Sequence, residues 1–378
     1  MGKGEILMYA STLQTLPLGT VIRSRSCRLV DVVGGRTIAY RWGRDAIWWA
    51  LETLGIRRGD HVLLPASCCD VVLQPFVERG IHFTLYGLTS RLEYDPEEIG
   101  GKIGPRTRAV YVIHYFGFPQ APDAIRDACR RWGVLLIEDC AHALFGSYNG
   151  TSLGEFGDAA VFSLRKILPV PDGGCLKLNT AKPLPPEPHR RREAAAFIAA
   201  AKLAAYDLGQ RSLLPIRTLK AMRRRIVADD SGASFIVQGA PHDYGMSALS
   251  RRILAGVDPG EVIARRRAHF AFWLEHLATV GRARPVYAKL PEGVTPYSFP
   301  ILVRDRDAAL ALLRRRGLHF EPTLNVPFSD VPGLENPDER FRDMERIAVE
   351  LVSLPVHQAL TPAALSRMRA DLLDVLCG

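Results

Sequence analysis

The sequence predicts an α/β protein: a large domain built on a mostly parallel central sheet sandwiched by helices, followed by a smaller C-terminal α/β domain. Three observations carry that expectation. Between residues 37 and 179, short apolar runs alternate with stretches of helical period. The runs at 109–113 and 134–137 are apolar throughout rather than at every second position, as strands covered on both faces are. The chain has 378 residues, more than one small core organises. The expected division is an N-terminal arm over 1–35, a large domain over 36–250 with a helical insertion at about 181–240, and a small domain over 251–378.

Taken in order, Trp42-Gly43-Arg44-Asp45 opens an amphipathic helix in which Ile47, Leu51 and Leu54 recur at helical spacing and which Gly55 ends. His61-Val62-Leu63-Leu64-Pro65 reads as a strand, 71–78 as a short helix closed by Gly80, and 81–86 as another strand. A strand at 109–113, a helix over 123–132, a second buried strand at 134–137 and a further one at 159–162 continue the alternation. The proline cluster at 183–188 breaks it, and the Ala-rich stretch at 194–205, followed by basic residues up to 225, reads as a helical insertion. Beyond residue 250 come a long basic helix over 262–277, a strand over 297–303, a helix over 308–315 and a last apolar segment at 354–356 before a terminal helix. That sequence of elements fits a smaller α/β unit.

Lys and Arg outnumber Asp and Glu by 49 to 40, a net charge of +9, which biases ligands and partners toward anions. The arginine runs at 190–192, 223–225, 265–267 and 314–316 read as solvated helix faces. No apolar run reaches the roughly 18 residues of a membrane span. Residues 1–22 lack the order of a secretory signal and Gly2 lacks a myristoylation context, so a cytoplasmic location is expected. Seven cysteines without Cys-x-x-Cys or zinc spacing read as reduced thiols, and no metal is expected.

In parallel sheets ligands bind beyond the carboxyl ends of the strands. The groups waiting there are His114-Tyr115-Phe116-Gly117, Glu138-Asp139, and Ser163-Leu164-Arg165-Lys166. Pyridoxal 5'-phosphate (PLP) needs an amine for attachment, a carboxylate to keep its pyridine nitrogen protonated, and a phosphate cradle. Lys166 offers the amine, and burial would lower its proton affinity, suiting it to attachment and to proton transfer. Asp139 follows four apolar residues, and a carboxylate at a buried strand end requires a cationic partner. Gly43, Arg44 and Asp45 open a helix whose first amides suit a phosphate, with Ser163 adding a hydroxyl. Gly173-Gly174 gives the loop after Lys166 freedom to fold tightly. His114, Tyr115 and Arg165 are candidate substrate contacts.

These segments resemble the DegT/StrS family of PLP-dependent sugar aminotransferases, of fold type I. The resemblance is carried by Trp42-Gly43-Arg44-Asp45-Ala46-Ile47, Gly59-Asp60-His61-Val62-Leu63-Leu64-Pro65, Ile113-His114-Tyr115-Phe116-Gly117, Ile137-Glu138-Asp139-Cys140-Ala141-His142-Ala143, and the stretch from Gly157-Asp158 to Arg165-Lys166. It implies that Lys166 carries the cofactor, Asp139 faces the pyridine nitrogen and Ser163 binds phosphate. Gly43 and Arg44 fall where the family usually has a Gly-Thr pair, and His142 replaces a glutamine that commonly approaches the ring hydroxyl. Cys69 stands where the family usually stacks an aromatic, Ser163 and Lys166 are closer together than in the commoner pattern, and the family's Gly-Tyr-Asn segment has no clear counterpart near His242-Asp243-Tyr244-Gly245. These departures mark a divergent branch.

The resemblance further implies a transaminase passing an amino group from glutamate to an anionic, nucleotide-linked keto-sugar by a ping-pong mechanism, as in polysaccharide or antibiotic biosynthesis. It also implies a homodimer with shared active sites. A PLP-dependent sugar dehydratase or deoxygenase is the alternative within the family, but that branch replaces the lysine with histidine. A non-catalytic basic protein docking on acidic membrane or nucleic acid is the alternative outside it. The lack of interleaved aromatics argues against nucleic acid, leaving peripheral membrane contact through the basic insertion as an accessory role.

Overall fold

The computed structural model describes residues 10–11, 27–89, 91–189, 193–210, 241–278, 280–320 and 339–377. Seven strands form the main sheet: β1 (Arg36–Tyr40), β2 (His61–Pro65), β3 (His82–Tyr86), β4 (Thr107–Ile113), β5 (Leu135–Asp139), β6 (Ala159–Ser163) and β7 (Gly174–Leu178). They lie in the order β1-β7-β6-β5-β4-β2-β3. The run from β6 to β3 is parallel throughout, whereas β7 pairs antiparallel with both β6 and β1. Every residue of β6 and β7 is buried: β6 reads in sequence as the apolar run 159–162, whereas β7, not among the expected strands, carries the buried Lys177, which donates to Val33 O and Glu155 Oε1. Register sets Ile113 beside Asp139 and Asp139 beside Val161, so three adjacent strands end close to one level.

Helices α1 (Gly43–Leu54), α2 (Asp70–Glu78), α3 (Pro96–Lys102) and α4 (Pro122–Trp132) connect or flank these strands, and a single turn, α5 (Leu164–Ile167), follows β6 directly. α1 ends as the sequence predicts, with Gly55 in the left-handed conformation at its C-cap. In the insertion α6 spans Ala194–Gln210, and Phe197 and Ile198 are each 58% exposed on it. The arginine runs at 190–192 and 223–225 lie outside the described residues.

After α7 (Ala248–Ala255) and α8 (Pro259–Leu277), a three-stranded antiparallel sheet of β8 (Ala283–Pro285), β9 (Ser298–Val303) and β10 (Leu351–Pro355) is packed with α9 (Arg306–Arg315), α10 (Glu339–Glu350) and α11 (Pro362–Cys377). One apolar cluster runs from Leu51, Leu63 and Val110 in the large unit to Phe270, Trp273 and Leu354 in the small one. The lead-in to β9 is tied to the turn after β4, where the Tyr297 amide donates to Phe116 O at 2.8 Å. Gly117, at φ 91°, permits this approach, since a side chain there would collide with Thr295 O.

The arginine run at 265–267 departs from expectation. Arg266 is wholly buried, and its neighbours are partly covered: Arg265 donates to Leu360 O and Arg267 to Pro291 O and Val294 O. Only the middle arginine is withdrawn from water; Arg265 also lies 3.8 Å from Glu261 and, like Arg267, stays partly exposed. Among the described residues, no helix is long and apolar enough to cross a membrane.

Candidate active site

Lys166 sits in the single turn α5, three residues beyond the end of β6, and is half-buried. Its Nζ lies 3.0 Å from Nε2 of His142. The His142 ring stacks face to face on Tyr297, with centroids 4.2 Å apart and planes 4° off parallel, and Nδ1 accepts the Phe116 amide at 3.4 Å. Burial, reinforced by the neighbouring lysine, holds this imidazole well below its ordinary pKa. The ring is therefore neutral at physiological pH and meets the lysine as a hydrogen-bonding partner.

Asp139 ends β5 and is almost completely buried. One carboxylate oxygen accepts the Tyr111 hydroxyl and the other the Ala141 amide, at 2.7 and 2.8 Å. Burial pushes the Tyr111 hydroxyl far above the usual tyrosine range, with Asp139 adding to it, so Tyr111 stays a donor and fixes the carboxylate's orientation. Cys68 and Cys69 are close enough to Tyr111 to contribute to that push. Cys69 is half-buried at the N-cap of α2.

The start of α1 faces the end of β6. A Cβ added to Gly43 would lie 3.7 Å from Ser163 Cβ and 3.9 Å from Phe162 O, so a side chain there would fill the gap in front of the helix's first amides. The Asp45 and Ala46 amides are taken by Trp42 O, which leaves the Gly43 and Arg44 amides at the mouth of the helix. Ser163 occupies the N-cap of α5, yet its hydroxyl does not cap that helix. An anion between Gly43 and Ser163 would meet backbone donors, a hydroxyl and the positive end of a twelve-residue helix.

Several predicted contacts are engaged elsewhere. His114 is completely buried, with Nε2 3.1 Å from Glu138 Oε1 and Nδ1 accepting the Gln120 amide, so it braces the fold. The Tyr115 hydroxyl donates to Ser67 O. Asp45 accepts the Trp42 amide at 2.9 Å and lies 2.9 Å from His242 Nδ1, closing the first turn of α1. Arg44 donates to Gln74 Oε1 at 3.3 Å rather than turning toward Ser163. Arg165 is exposed, with its guanidinium 5.0 Å over the Trp42 ring and Arg41 at 4.8 Å from the same ring. Gly174 begins β7, and a side chain there would strike Trp42 O, so this glycine serves close backbone approach.

Tyr111, inside an apolar strand, and His242, after the insertion, carry no motif signal, whereas Arg266 and Tyr297 of the small unit fall in 265–267 and 297–303, where the family resemblance returns more weakly and assigns them no role. Arg266 donates from Nη1 to Pro296 O and Tyr297 O, from Nη2 to Ile167 O, and from Nε to Gln358 Oε1, at 2.9–3.1 Å. His114, Glu138 and Cys140 bring possible ligand atoms within 4.8 Å of one another, but both Glu138 oxygens are already engaged by protein donors.

Residues 30–181 match the model of the DegT/DnrJ/EryC1/StrS aminotransferase family, so the resemblance carried by the motifs is borne out over the stretch that holds them. The chain is 31% identical over 141 residues to GDP-perosamine synthase of Vibrio cholerae, covering 36% of this chain and 38% of that protein. It is 35% identical over 135 residues to dTDP-4-dehydro-2,3,6-trideoxy-D-glucose 4-aminotransferase of Saccharopolyspora spinosa, covering 35% of each. These matches thus span little more than a third of either relative. The whole fold is similar to the crystal structure of the aminotransferase TlmJ from Streptoalloteichus hindustanus, with a TM-score of 0.70, 22% identity and 98% of both chains covered. The fold is that of the fold type I sugar aminotransferases, as the sequence predicts.

Proposed function

We propose that the protein is a PLP-dependent aminotransferase that moves an amino group from glutamate to a keto-sugar carrying an anionic, nucleotide-linked handle. The observation that carries this reading is the convergence of Lys166, Asp139, Ser163 and the start of α1 at the ends of β5 and β6, inside the stretch that matches an aminotransferase family. The donor set suits PLP: an amine, a buried carboxylate oriented by a phenol, and an open helix N-terminus facing a serine. The relatives' names, one a synthase of a GDP-linked amino sugar and the other an aminotransferase of a dTDP-linked keto-sugar, support the acceptor class.

Lys166 would hold the cofactor through Nζ, Asp139 would face its pyridine nitrogen, and Gly43 with Ser163 would bind its phosphate. When bound, PLP supplies an electron sink for the negative charge left at a carbon that has lost its proton. Lys166 Nζ is the group that takes that proton from the donor's α-carbon and returns one to the acceptor. Neutral His142, whose Nδ1 accepts the Phe116 amide, carries its proton on Nε2 and orients the amine by donating to Nζ. Tyr111 holds the Asp139 carboxylate in place, and the apolar walls of β4 and β5 exclude water from it. Arg165, exposed beside the lysine, offers a cation to an anionic substrate.

Ping-pong order, a homodimer with shared sites and a cytoplasmic location belong to the same proposal. Lys166 in place of the histidine of the deoxygenating branch favours transamination. The test is optical. Purified protein given PLP develops a visible band, glutamate bleaches it, and a keto-sugar nucleotide restores it while nucleotide-free ketones do not. A protein that binds PLP but is blind to every amino donor would overturn the transaminase reading.

A further inference from the structure

Arg266 is 0% exposed, and among the described residues each of its hydrogen bonds goes to an uncharged oxygen: Pro296 O, Tyr297 O, Ile167 O and Gln358 Oε1. Burying a guanidinium without a carboxylate partner costs several kcal/mol even after relaxation. Burial, opposed by Tyr297, brings its pKa down to about 9. An apolar side chain would fill the same space at less cost, so the geometry of the fork is what the site uses: five N–H groups in one rigid plane.

Two arms of that fork reach opposite sides of Lys166. On one side, α5 is a single turn, too short to hold itself, closed within the backbone by the Leu168 amide on Leu164 O. Ile167 O, the carbonyl directly after the lysine, accepts from Arg266 Nη2 and from Gln358 Nε2, both at 3.1 Å. On the other side, Arg266 Nη1 holds the Pro296 and Tyr297 carbonyls, and the Tyr297 ring stacks on His142, whose Nε2 meets Lys166 Nζ. The contacts close a ring: Arg266, Ile167, Lys166, His142, Tyr297 and back to Arg266.

We propose that Arg266 is the positioning residue of the site, fixing the Lys166 amine by holding both the turn that carries it and the tyrosine that seats its histidine partner. The assignment deepens the aminotransferase reading, but its geometry holds for the lysine whether or not that reading stands. Lysine cannot replace it fully, because one ammonium is a point donor that cannot span Ile167 O and Tyr297 O in fixed directions.

The test compares wild type with Arg266→Lys, Arg266→Gln and Tyr297→Leu. Lys166 of the PLP-free protein is labelled with acetic anhydride across a pH series, using exposed Lys289 as the internal reference and reading peptides by mass spectrometry. Thermal unfolding and the rate of PLP attachment are followed in parallel. The expected result is a shifted pH midpoint for Lys166 labelling in all three variants with Lys289 unchanged. Attachment slows on the order of tenfold or more in Arg266→Gln, with partial recovery in Arg266→Lys.

Lys166 labelling and attachment equal to wild type in the folded variants, with only the unfolding temperature lowered, would overturn the proposal and leave Arg266 a purely structural tie. Should Arg266→Gln not fold, Arg266→Lys and Tyr297→Leu decide it in the same way. Shifted labelling in a protein whose wild type never attaches PLP would sink the aminotransferase reading and sustain the positioning role.

Discussion

Glu138 and Asp139 are consecutive on β5 and equally hidden, at 1% and 3% exposure, and they face opposite sides of the sheet. Around Glu138 the protein supplies a full set of donors: His114 Nε2 and the Gly154 amide at one oxygen, the Phe156 and Gly157 amides at the other, all within 2.7–3.1 Å. Among the described residues Asp139 receives the Tyr111 hydroxyl and the Ala141 amide, and three residues on, His142 touches Lys166. A carboxylate has about four acceptor positions. Glu138 is closed by its own chain and serves the fold, whereas Asp139 keeps capacity for a ligand. The contrast separates a carboxylate saturated by its own chain from the one proposed to face the cofactor, where burial alone does not.

Substitutions sharpen that contrast, beginning with the largest effect. Lys166→Ala should lower turnover on the order of 10⁴-fold or more while leaving thermal unfolding near wild type, since the side chain serves the site rather than the core. Glu138→Ala should cost about 3–5 kcal/mol in urea unfolding, because three amides and His114 lose their acceptor in a dry environment. Asp139→Asn should reverse that pattern, with about 1 kcal/mol or less of stability lost but PLP turnover down on the order of 10²-fold. Equal stability losses at 138 and 139 would erase the distinction drawn between them.

The smallest effect concerns the buried histidine beside Asp45 and Glu78. His242 lies between Asp45 Oδ1 and Glu78 Oε2, at 2.9 and 2.8 Å, and stacks on Trp48. Burial would lower its pKa, but hydrogen bonds and charge from the two acids outweigh burial, and the net shift is upward. A raised folded pKa means stability fully present below the unfolded value of about 6.5 and lost as pH rises through the folded one. The unfolding temperature should therefore fall as pH climbs above that value, and His242→Gln should flatten this part of the profile. A profile identical in the variant would remove His242 as its source.

The sheet, the lysine and the helix start were legible because each leaves a local mark: unbroken apolar strands, a polar cluster after them, a glycine opening a helical period. Which face each side chain takes was not. His114 and Tyr115 stand at a strand end as ligands would, yet the fold turns them inward to Glu138 and Ser67 O. Arg266 is indistinguishable in sequence from its neighbours in the run at 265–267; its burial is decided by Tyr297 and Gln358, brought to it only by packing. Tyr111 was hidden by its setting, since a tyrosine within an apolar strand reads as core until its hydroxyl is seen to meet Asp139.

The most direct measurement is to incubate the protein with PLP, reduce it with borohydride and map the modified peptide by mass spectrometry. The expected result is one pyridoxyl group per chain on Lys166, absent from Lys166→Ala. Modification spread over other lysines such as Lys182 or Lys289, or persisting in Lys166→Ala, would contradict the assignment of this site.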